Sequence, residues 1–155
     1  MSPGLNAIIP KYPSWLPGGF AGTIKPGTGQ YPGGIPEGAN VAFLGEPPTS
    51  AGSISQTLTA TLQANTKYTL RLSVGHRADE AFTGYIAALV AGGVTIAFDG
   101  SLSPPAGTFL EDVIVYEARP SPLLLGQPLT ISIQSLGTGQ VNIDAVSLNA
   151  CTMAP

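Results

Sequence analysis

The densest group of residues that could do chemistry is the segment His76-Arg77-Ala78-Asp79-Glu80, which contains the only histidine in the chain. Together with the nearby Ser73, it offers the serine, the histidine and the acid of a nucleophilic triad. Neighbouring residues of one strand, however, point to opposite faces, and the sequence contains no nucleophile elbow. We therefore expect an exposed loop that carries an Arg77–Asp79 ion pair rather than a triad.

The carboxylates do not form a recognisable catalytic pair either. A glycosidase needs two of them facing each other across the scissile bond, and the candidates all fall in turns or at strand ends, which predicts solvated loop charges. These candidates are Glu37, Glu46, Asp99, Glu111 and Asp112. A single histidine and a single cysteine exclude a Cys/His metal cluster within one chain. The residues thus predict no catalytic group, no cofactor and no enzyme activity.

Cys151, the only cysteine, cannot form an internal disulfide. We interpret it as a small apolar residue in a terminal tail, and the alternative is an intermolecular disulfide.

Composition limits the partners. Charged residues make up 10% of the 155-residue chain, the net charge is −3, and the six basic residues are scattered, so no basic stripe could bind nucleic acid. No apolar stretch reaches the roughly 18 residues of a membrane span, and the N-terminus lacks the pattern of a signal peptide. Low charge is typical of a Gly/Ala/Ser/Thr-rich secreted or thermostable sandwich, or of a surface buried against other subunits.

The elements that must position these residues are strands. In residues 67–75 the side chains of Tyr68, Leu70, Leu72 and Val74 share one face, and polar side chains share the other, which is the period of a half-buried strand. Residues 127–134 repeat this pattern. No window has the apolar spacing of an amphipathic helix. We count about eight to ten short strands, as in a jelly roll.

Two glycine-rich turns separate strands, and the alternating pattern changes parity once within a strand. Gly92-Gly93 predicts a two-residue hairpin, and Gly137-Thr138-Gly139 predicts a second hairpin that joins the last two strands. In the last strand the apolar positions change parity at Asp144-Ala145. A β-bulge with one extra residue restores the later apolar side chains to the core.

The first 51 residues are rich in proline and glycine, and their interleaved aromatic residues favour an ordered, looped flap over disorder. We expect three parts: an extended N-terminal arm over residues 1–16, a jelly-roll domain over 17–150 and a tail over 151–155. The predicted fold is therefore all-β, a single antiparallel β-sandwich with a Pro/Gly-rich looped N-terminal segment.

The order of several segments resembles the galactose-binding-like jelly rolls of extracellular bacterial proteins that carry a PEP-CTERM sorting signal. Gln30–Leu44 is similar to the family's Tyr-Pro-Asp-Gly-x-Asn-Val-Ala-Tyr-Leu stretch. Further similar segments follow in family order: 52–58, 65–70, 74–79, 104–109, 125–129 and 142–146. The first strand of the family is missing, and only Leu5–Ile9 could replace it.

The resemblance implies two sites. Related carbohydrate-binding modules hold a structural calcium ion with an early acid and a late one; Asp144 matches the late acid, and the early acid has no counterpart. The second implied site is a glycan platform, since sugars pack on aromatic rings beside polar groups. Its candidates are Trp15, Tyr31 and Tyr85, with Arg71, Arg77 and Gln134 as polar partners.

These features lead to a functional expectation. A non-catalytic module that assembles on a repetitive surface, such as a virion decoration protein or an extracellular fibre subunit, accounts for the low charge and the missing first strand. The alternative is a glycan-binding module of a secreted protein. Partners are then copies of the chain in a homo-oligomer, a larger assembly or a polysaccharide, and the location is extracellular or on a virion. Apolar residues expected at intersubunit contacts are Leu5, Ile8, Ile9, Leu123, Leu124 and Leu125.

Overall fold

The computed structural model describes residues 15–154. This part of the chain contains ten strands and no helix, and therefore no helix that could cross a membrane. The strands are β1 (Leu16–Gly19), β2 (Ala21–Ile24), β3 (Val41–Leu44), β4 (Gly52–Thr61), β5 (Thr66–His76), β6 (Tyr85–Ala91), β7 (Val94–Asp99), β8 (Thr108–Glu117), β9 (Pro128–Ser135) and β10 (Val141–Thr152).

The strands form two sheets that pack face to face. The first sheet has the order β1-β4-β9-β6-β7 and the second has the order β2-β3-β10-β5-β8. Every neighbouring pair is antiparallel. This arrangement confirms the predicted all-β jelly-roll sandwich.

The core lies between the sheets and follows the period-two patterns. In β5 the side chains of Tyr68, Leu70, Leu72 and Val74 are at most 1% exposed, so the predicted inward face is confirmed. On β9 the inward side chains Leu129, Ile131 and Ile133 are fully buried and meet them from the first sheet. Two alternating apolar faces thus close on each other, as burial of apolar surface requires.

The two glycine hairpins have different outcomes. Gly92 and Gly93 have φ angles of 56° and 82°, and Ala91 pairs directly with Val94, so the predicted two-residue turn between β6 and β7 is confirmed. The turn at residues 137–139 does not form a hairpin, because β9 belongs to the first sheet and β10 to the second. It carries the chain from one sheet to the other.

The looped flap contains two short strands that the sequence analysis missed. β1 pairs with β4 in the first sheet and β2 pairs with β3 in the second, with only Phe20 between them. The Phe20 N–H donates to the Ala51 carbonyl at 3.0 Å, and the Phe20 carbonyl accepts from the Gly45 N–H at 2.8 Å. The chain therefore changes sheets within one residue. Proline and glycine hid the strand pattern in the sequence. Edge strands such as β1 and β2 tolerate these two residue types.

The predicted bulge in β10 is confirmed. The register between β10 and β5 shifts between Asp144 and Ser147, and Ala145 has a φ of 51°. Val146 and Leu148 consequently return to the core, where they are at most 1% exposed. β10 continues to Thr152, so Cys151 is a buried strand residue and not part of a tail as we expected.

The expected contact residues are placed only in part. Leu5, Ile8 and Ile9, with most of the predicted arm, lie outside the described residues. Leu123 is fully exposed and Leu125 is more than half exposed, whereas Leu124 packs against the core. An intersubunit contact through this loop stays a prediction, as do the extracellular location and the three-part division of the chain.

Asp112 corrects the interpretation of the carboxylates as solvated loop charges. It lies inside β8, is only 5% exposed and accepts a 2.5 Å hydrogen bond from the hydroxyl of Tyr85 on β6 of the opposite sheet. It also shares a hydrogen bond with Asp99 at the end of β7. These three side chains join the two sheets on the β7–β8 side, beside an open cleft of about 720 Å³.

The fold makes a direct prediction for Leu72, which is fully buried at the centre of β5. Leu72→Ala should lower the free energy of unfolding by about 2–5 kcal/mol, because it removes buried apolar surface and leaves a cavity. Chemical denaturation measures this change. Arg71→Ala, on the exposed side of the same strand, is the control and should change it by less than about 1 kcal/mol. The reverse order of the two effects would show that the register of β5 is wrong by one residue.

A second prediction concerns Asp112. Burial raises the pKa of Asp112, and its hydrogen bond with Asp99 adds to this effect against the opposing hydrogen bond from Tyr85. Protonated Asp112 therefore stabilises the fold fully below its unfolded pKa, and this contribution is lost as pH rises through the raised folded pKa. Asp112→Asn keeps an oxygen for Tyr85 and cannot ionise, so its melting temperature should fall less between acidic and neutral pH. An identical pH dependence in both proteins would contradict the assignment.

Candidate functional site

Polar and aromatic side chains collect on the outer face of the second sheet, the side turned away from the first sheet. Because Leu72 and Val74 point into the core, Ser73 and Gly75 between and beside them face outward. The register places Asn142 opposite Gly75 and Asp144 opposite Ser73. The central strand β10 therefore presents Asn142 and Asp144 side by side on this face, in the middle of the sheet.

Asp144 is fully buried although it lies on the outer face. A loop that we call the cap segment (residues 32–40) contacts it: the N–H of Glu37 donates to Oδ2 of Asp144 at 2.9 Å. The other carboxyl oxygen, Oδ1, is buried and has no hydrogen-bond partner among the described residues. A buried polar atom without a partner is costly and is often found where function demands it.

Burial raises the pKa of Asp144, because a charged carboxylate loses its hydration. The N–H groups of Glu37 and Ala145 oppose this rise, and the negative charge of Glu37 adds to it. The protonated form is thus favoured above the usual range of an aspartic acid. In that form Oδ1 can carry the proton, since Oδ2 already accepts a hydrogen bond.

Tyr31 contacts Asn142, two residues before Asp144 on the same strand, and is 2% exposed. Its ring packs on Phe109 of β8 with ring centroids 4.5 Å apart. A Cβ atom at Gly75 would overlap the Phe109 ring and lie 2.7 Å from the Tyr31 hydroxyl oxygen, so glycine at position 75 admits both groups to the sheet surface. Burial raises the pKa of Tyr31 above its usual range.

A chain of buried amides leads away from Tyr31. The Tyr31 hydroxyl donates to Oδ1 of Asn142 at 2.5 Å, and Nδ2 of Asn142 donates to Oε1 of Gln140 at 3.0 Å. Nη1 of Arg77 donates to the same Gln140 oxygen at 3.1 Å. Arg77 also forms the expected ion pair with Asp79, with 3.0 Å between Nη2 and Oδ2. The side chain of Arg77 is only 15% exposed, so it belongs to this chain and not to an open loop.

The residues predicted to contact a glycan do not form one platform. Tyr31 and Arg77 share the polar chain, and Arg71 pairs with Glu111 on the outer face at 3.1 Å. Trp15 and Tyr85 belong to the core, and Gln134 is exposed on the other sheet. Nδ1 of His76 donates a hydrogen bond to the Pro104 carbonyl at 3.0 Å. No signal in the sequence distinguished Asn142 and Gln140 from ordinary surface amides.

The calcium ligand expected at Asp144 stays a prediction. Calcium takes six to eight oxygen ligands, whereas Asp144 offers one free oxygen and receives an N–H donor on the other. Among residues 15–154, no group of three or more His, Cys, Asp or Glu side chains could hold a metal ion.

Solved cyclase structures share both fold and sequence with the chain. A cyclase from Fischerella sp. TAU is 28% identical over 92% of this chain and 87% of that one, with a TM-score of 0.80. A cyclase from the same source, in complex with 4-(1H-indol-3-yl)butan-2-one, is 26% identical over 97% and 91% of the two chains, with a TM-score of 0.79.

More distant structures share the fold alone. The xylan-binding CBM22-1 domain from Paenibacillus barcinonensis Xyn10C is 12% identical over 92% of this chain and 88% of that one, with a TM-score of 0.60. It supports the resemblance to carbohydrate-binding jelly rolls as a statement about architecture. No curated protein matches the chain.

The family comparison corrects the functional expectation. The model of the HpiC1-like family, described as HpiC1 cyclase, matches residues 6–149. The expectations of a non-catalytic assembly module, of a glycan-binding module and of no enzyme activity are therefore wrong. A chain without a recognisable catalytic pair or triad can still belong to an enzyme family, and the residue types alone did not indicate this one. The chain belongs to the HpiC1-like cyclase family.

Proposed function

We propose that this protein is a cyclase that starts ring closure by transferring a proton from Asp144 to an unsaturated substrate. The observation that carries the proposal is the state of its carboxyl group. Oδ2 is held by the Glu37 N–H, while Oδ1 is buried without a partner. A proton on Oδ1 has no acceptor within the described part of the protein, so it is available to a substrate.

The reaction that suits such a group is an acid-initiated isomerisation. The proton moves from Oδ1 to one carbon of a substrate double bond and leaves a cation on the other carbon. A second π bond of the same substrate then attacks the cation and forms the new ring bond. Loss of a proton to the Asp144 carboxylate restores the acid. Protons and electrons balance without any cofactor, and the raised pKa of Asp144 keeps the acid form populated.

The surroundings of Asp144 suit a cationic intermediate. The rings of Tyr31 and Phe109 offer aromatic faces on the same side of the sheet, and such faces attract positive charge. The cap segment helps to exclude water, which would otherwise trap the cation. The two similar solved structures from Fischerella sp. TAU are cyclases, and one of them is in complex with a ketone that has an indole ring. We therefore propose an indole that carries an unsaturated chain as the substrate class.

The substrate must displace the cap segment, because Asp144 is fully buried in this structure. Three glycines of the segment, Gly33, Gly34 and Gly38, have no atoms within 4 Å of a Cβ built on them. The segment therefore has few packing contacts to lose at these positions. Such loosely packed loops are the ones that move at active sites.

The main test is Asp144→Asn. Asparagine keeps an oxygen for the Glu37 N–H and cannot donate a proton of comparable acidity, so turnover should fall by about 10²- to 10⁴-fold. Conversion of the substrate to a ring-closed isomer, followed by chromatography and NMR, measures this. Asp112→Asn is the matched control, since Asp112 is a second buried aspartic acid with a raised pKa; it should retain turnover within a few-fold. Full activity of Asp144→Asn would refute the assignment of the acid.

The pH dependence gives a second test. Because the protonated form of Asp144 is the active one, kcat/KM should be constant at low pH. It should fall about tenfold per pH unit above the raised pKa of the free enzyme. A rate that rises with pH through this range would indicate that Asp144 acts as a base.

A further inference from the structure

We infer that Asp99 and Asp112 form a pH-sensitive latch, which shares one proton when closed and releases the β7–β8 side of the sandwich when that proton is lost. This side lies away from the outer face of the second sheet, so the inference does not depend on the proposed reaction. It assigns a conformational switch to two side chains that the reaction does not use.

The latch lies where both sheets have a free edge. β7 is the last strand of the first sheet, and β8 is the last strand of the second. Asp99 pairs with Ala87 and Asp112 pairs with Leu72, and both of these partners are fully buried in the core. Directly opposed residues of an antiparallel pair point to the same face. The two carboxyl groups therefore face each other from opposite sheets.

One proton must lie between the two carboxyl groups. The Tyr85 hydroxyl donates to Oδ2 of Asp112 at 2.5 Å, and the Ser101 hydroxyl donates to Oδ2 of Asp99 at 2.8 Å. The carboxyl groups also share a hydrogen bond, and ionised carboxylates only accept, so one of them is protonated. Burial raises the pKa of Asp112. At Asp99 the effect of burial is outweighed by hydrogen bonds from Asp112 and Ser101, which lower the pKa. The proton therefore belongs to Asp112.

No positive charge is available to hold the pair once both groups ionise. The titratable side chains that face the latch are Tyr85 from β6, Asp99 from β7 and Asp112 from β8. Burial raises the pKa of Tyr85, so this hydroxyl stays neutral. Two adjacent carboxylates repel each other in such a setting. The other residues that line the cleft of about 720 Å³ beside the latch are all uncharged: Thr95, Ile96, Ala97, Phe98, Ser101, Val113, Ile114 and Val115.

β7 is the part that moves when the pair repels. It has six residues, it pairs with β6 alone, and the register of this pair shifts between Leu89 and Val90. Its Phe98 side chain is 65% exposed. All ten residues of β8, by contrast, pair with β5. Local opening of a weakly held edge requires less free energy than global unfolding, and here it exposes Ile114, which lines the cleft.

Proton linkage gives the pH range of the opening. The pKa of Asp112 is raised in the closed state, and it returns to the usual range of an aspartic acid, about 3.9, when the group is exposed. Opening releases the proton at any pH between these two values. The ratio of open to closed molecules should therefore increase by up to about tenfold per pH unit within this range. It is constant below the range and constant again above it.

Solvent paramagnetic relaxation of isoleucine methyl groups measures this opening in the wild-type protein. A neutral, water-soluble gadolinium chelate relaxes the methyl groups that solvent reaches. Ile114 lines the cleft and is 5% exposed, whereas Ile133 is fully buried in the core. The relaxation of Ile114 should increase at least about 3-fold from acidic to neutral pH, and that of Ile133 should stay constant. A pH-independent relaxation of Ile114 would overturn the inference without the use of any variant.

Three variants identify the groups that drive the opening. Asp112→Asn offers an oxygen to Tyr85 and an NH₂ group to Asp99, so it reproduces the protonated latch and should abolish the pH response. Asp99→Asn removes one of the two repelling charges and should also abolish it. Glu111→Gln is the matched control, because it removes an exposed charge from the same strand, and it should keep the wild-type response. A response that persists in either Asn variant, or that disappears in Glu111→Gln, would contradict the latch.

Discussion

The structure depends on one constraint in β10. This strand lies at the centre of the second sheet, and it must bury apolar side chains inward while it carries polar ones outward. The extra residue at Ala145 makes both possible, because Ile143 and Val146 enter the core on either side of it. Without the bulge, Val146 would face outward and Ser147 would enter the core. Asp144, immediately before the bulge, pairs with Ser73 of β5, which restricts its backbone.

The outer face is shaped by long-range contacts that meet on this strand. Glu37 and Tyr31 reach Asp144 and Asn142 from more than a hundred residues away in the sequence. They convert what would be an ordinary hydrated sheet surface into a covered, low-polarity environment. Burial removes water from the Asp144 carboxyl group and thereby raises its pKa. The acidity of this group therefore depends on the segment that covers it.

The sequence was sufficient for the strands whose side chains alternate. β5 and β9 were predicted because one buried face imposes a period of two, and the bulge because a parity change has only one simple cause. β1 and β2 were missed since proline and glycine dominate them. The turn at residues 137–139 was misassigned because a glycine-rich link looks the same within a sheet and between sheets.

The site could not be predicted for a different reason. Asp144 was singled out only as a calcium ligand, and its chemistry depends on a cover that no local pattern reveals. The burial of Asp112 could have been predicted from the sequence, because this residue occupies an inward position in β8 between the positions of Leu110 and Ile114. An acid at an inward position of a strand predicts a buried partner, which here is Tyr85.

The sandwich is closed differently along its two sides. On the β1–β2 side a continuous backbone passes from one sheet to the other through Phe20. On the β7–β8 side, the side chains of Tyr85, Asp99 and Asp112 supply the polar link beside an open cleft. The chain also passes from β7 to β8, but through the eight residues 100–107, a link that allows more separation than the single residue between β1 and β2. Thermal motion should therefore part the sheets along one side only, with Phe20 as the hinge, so that β7 and β8 exchange their amide protons before the strands next to the hinge do.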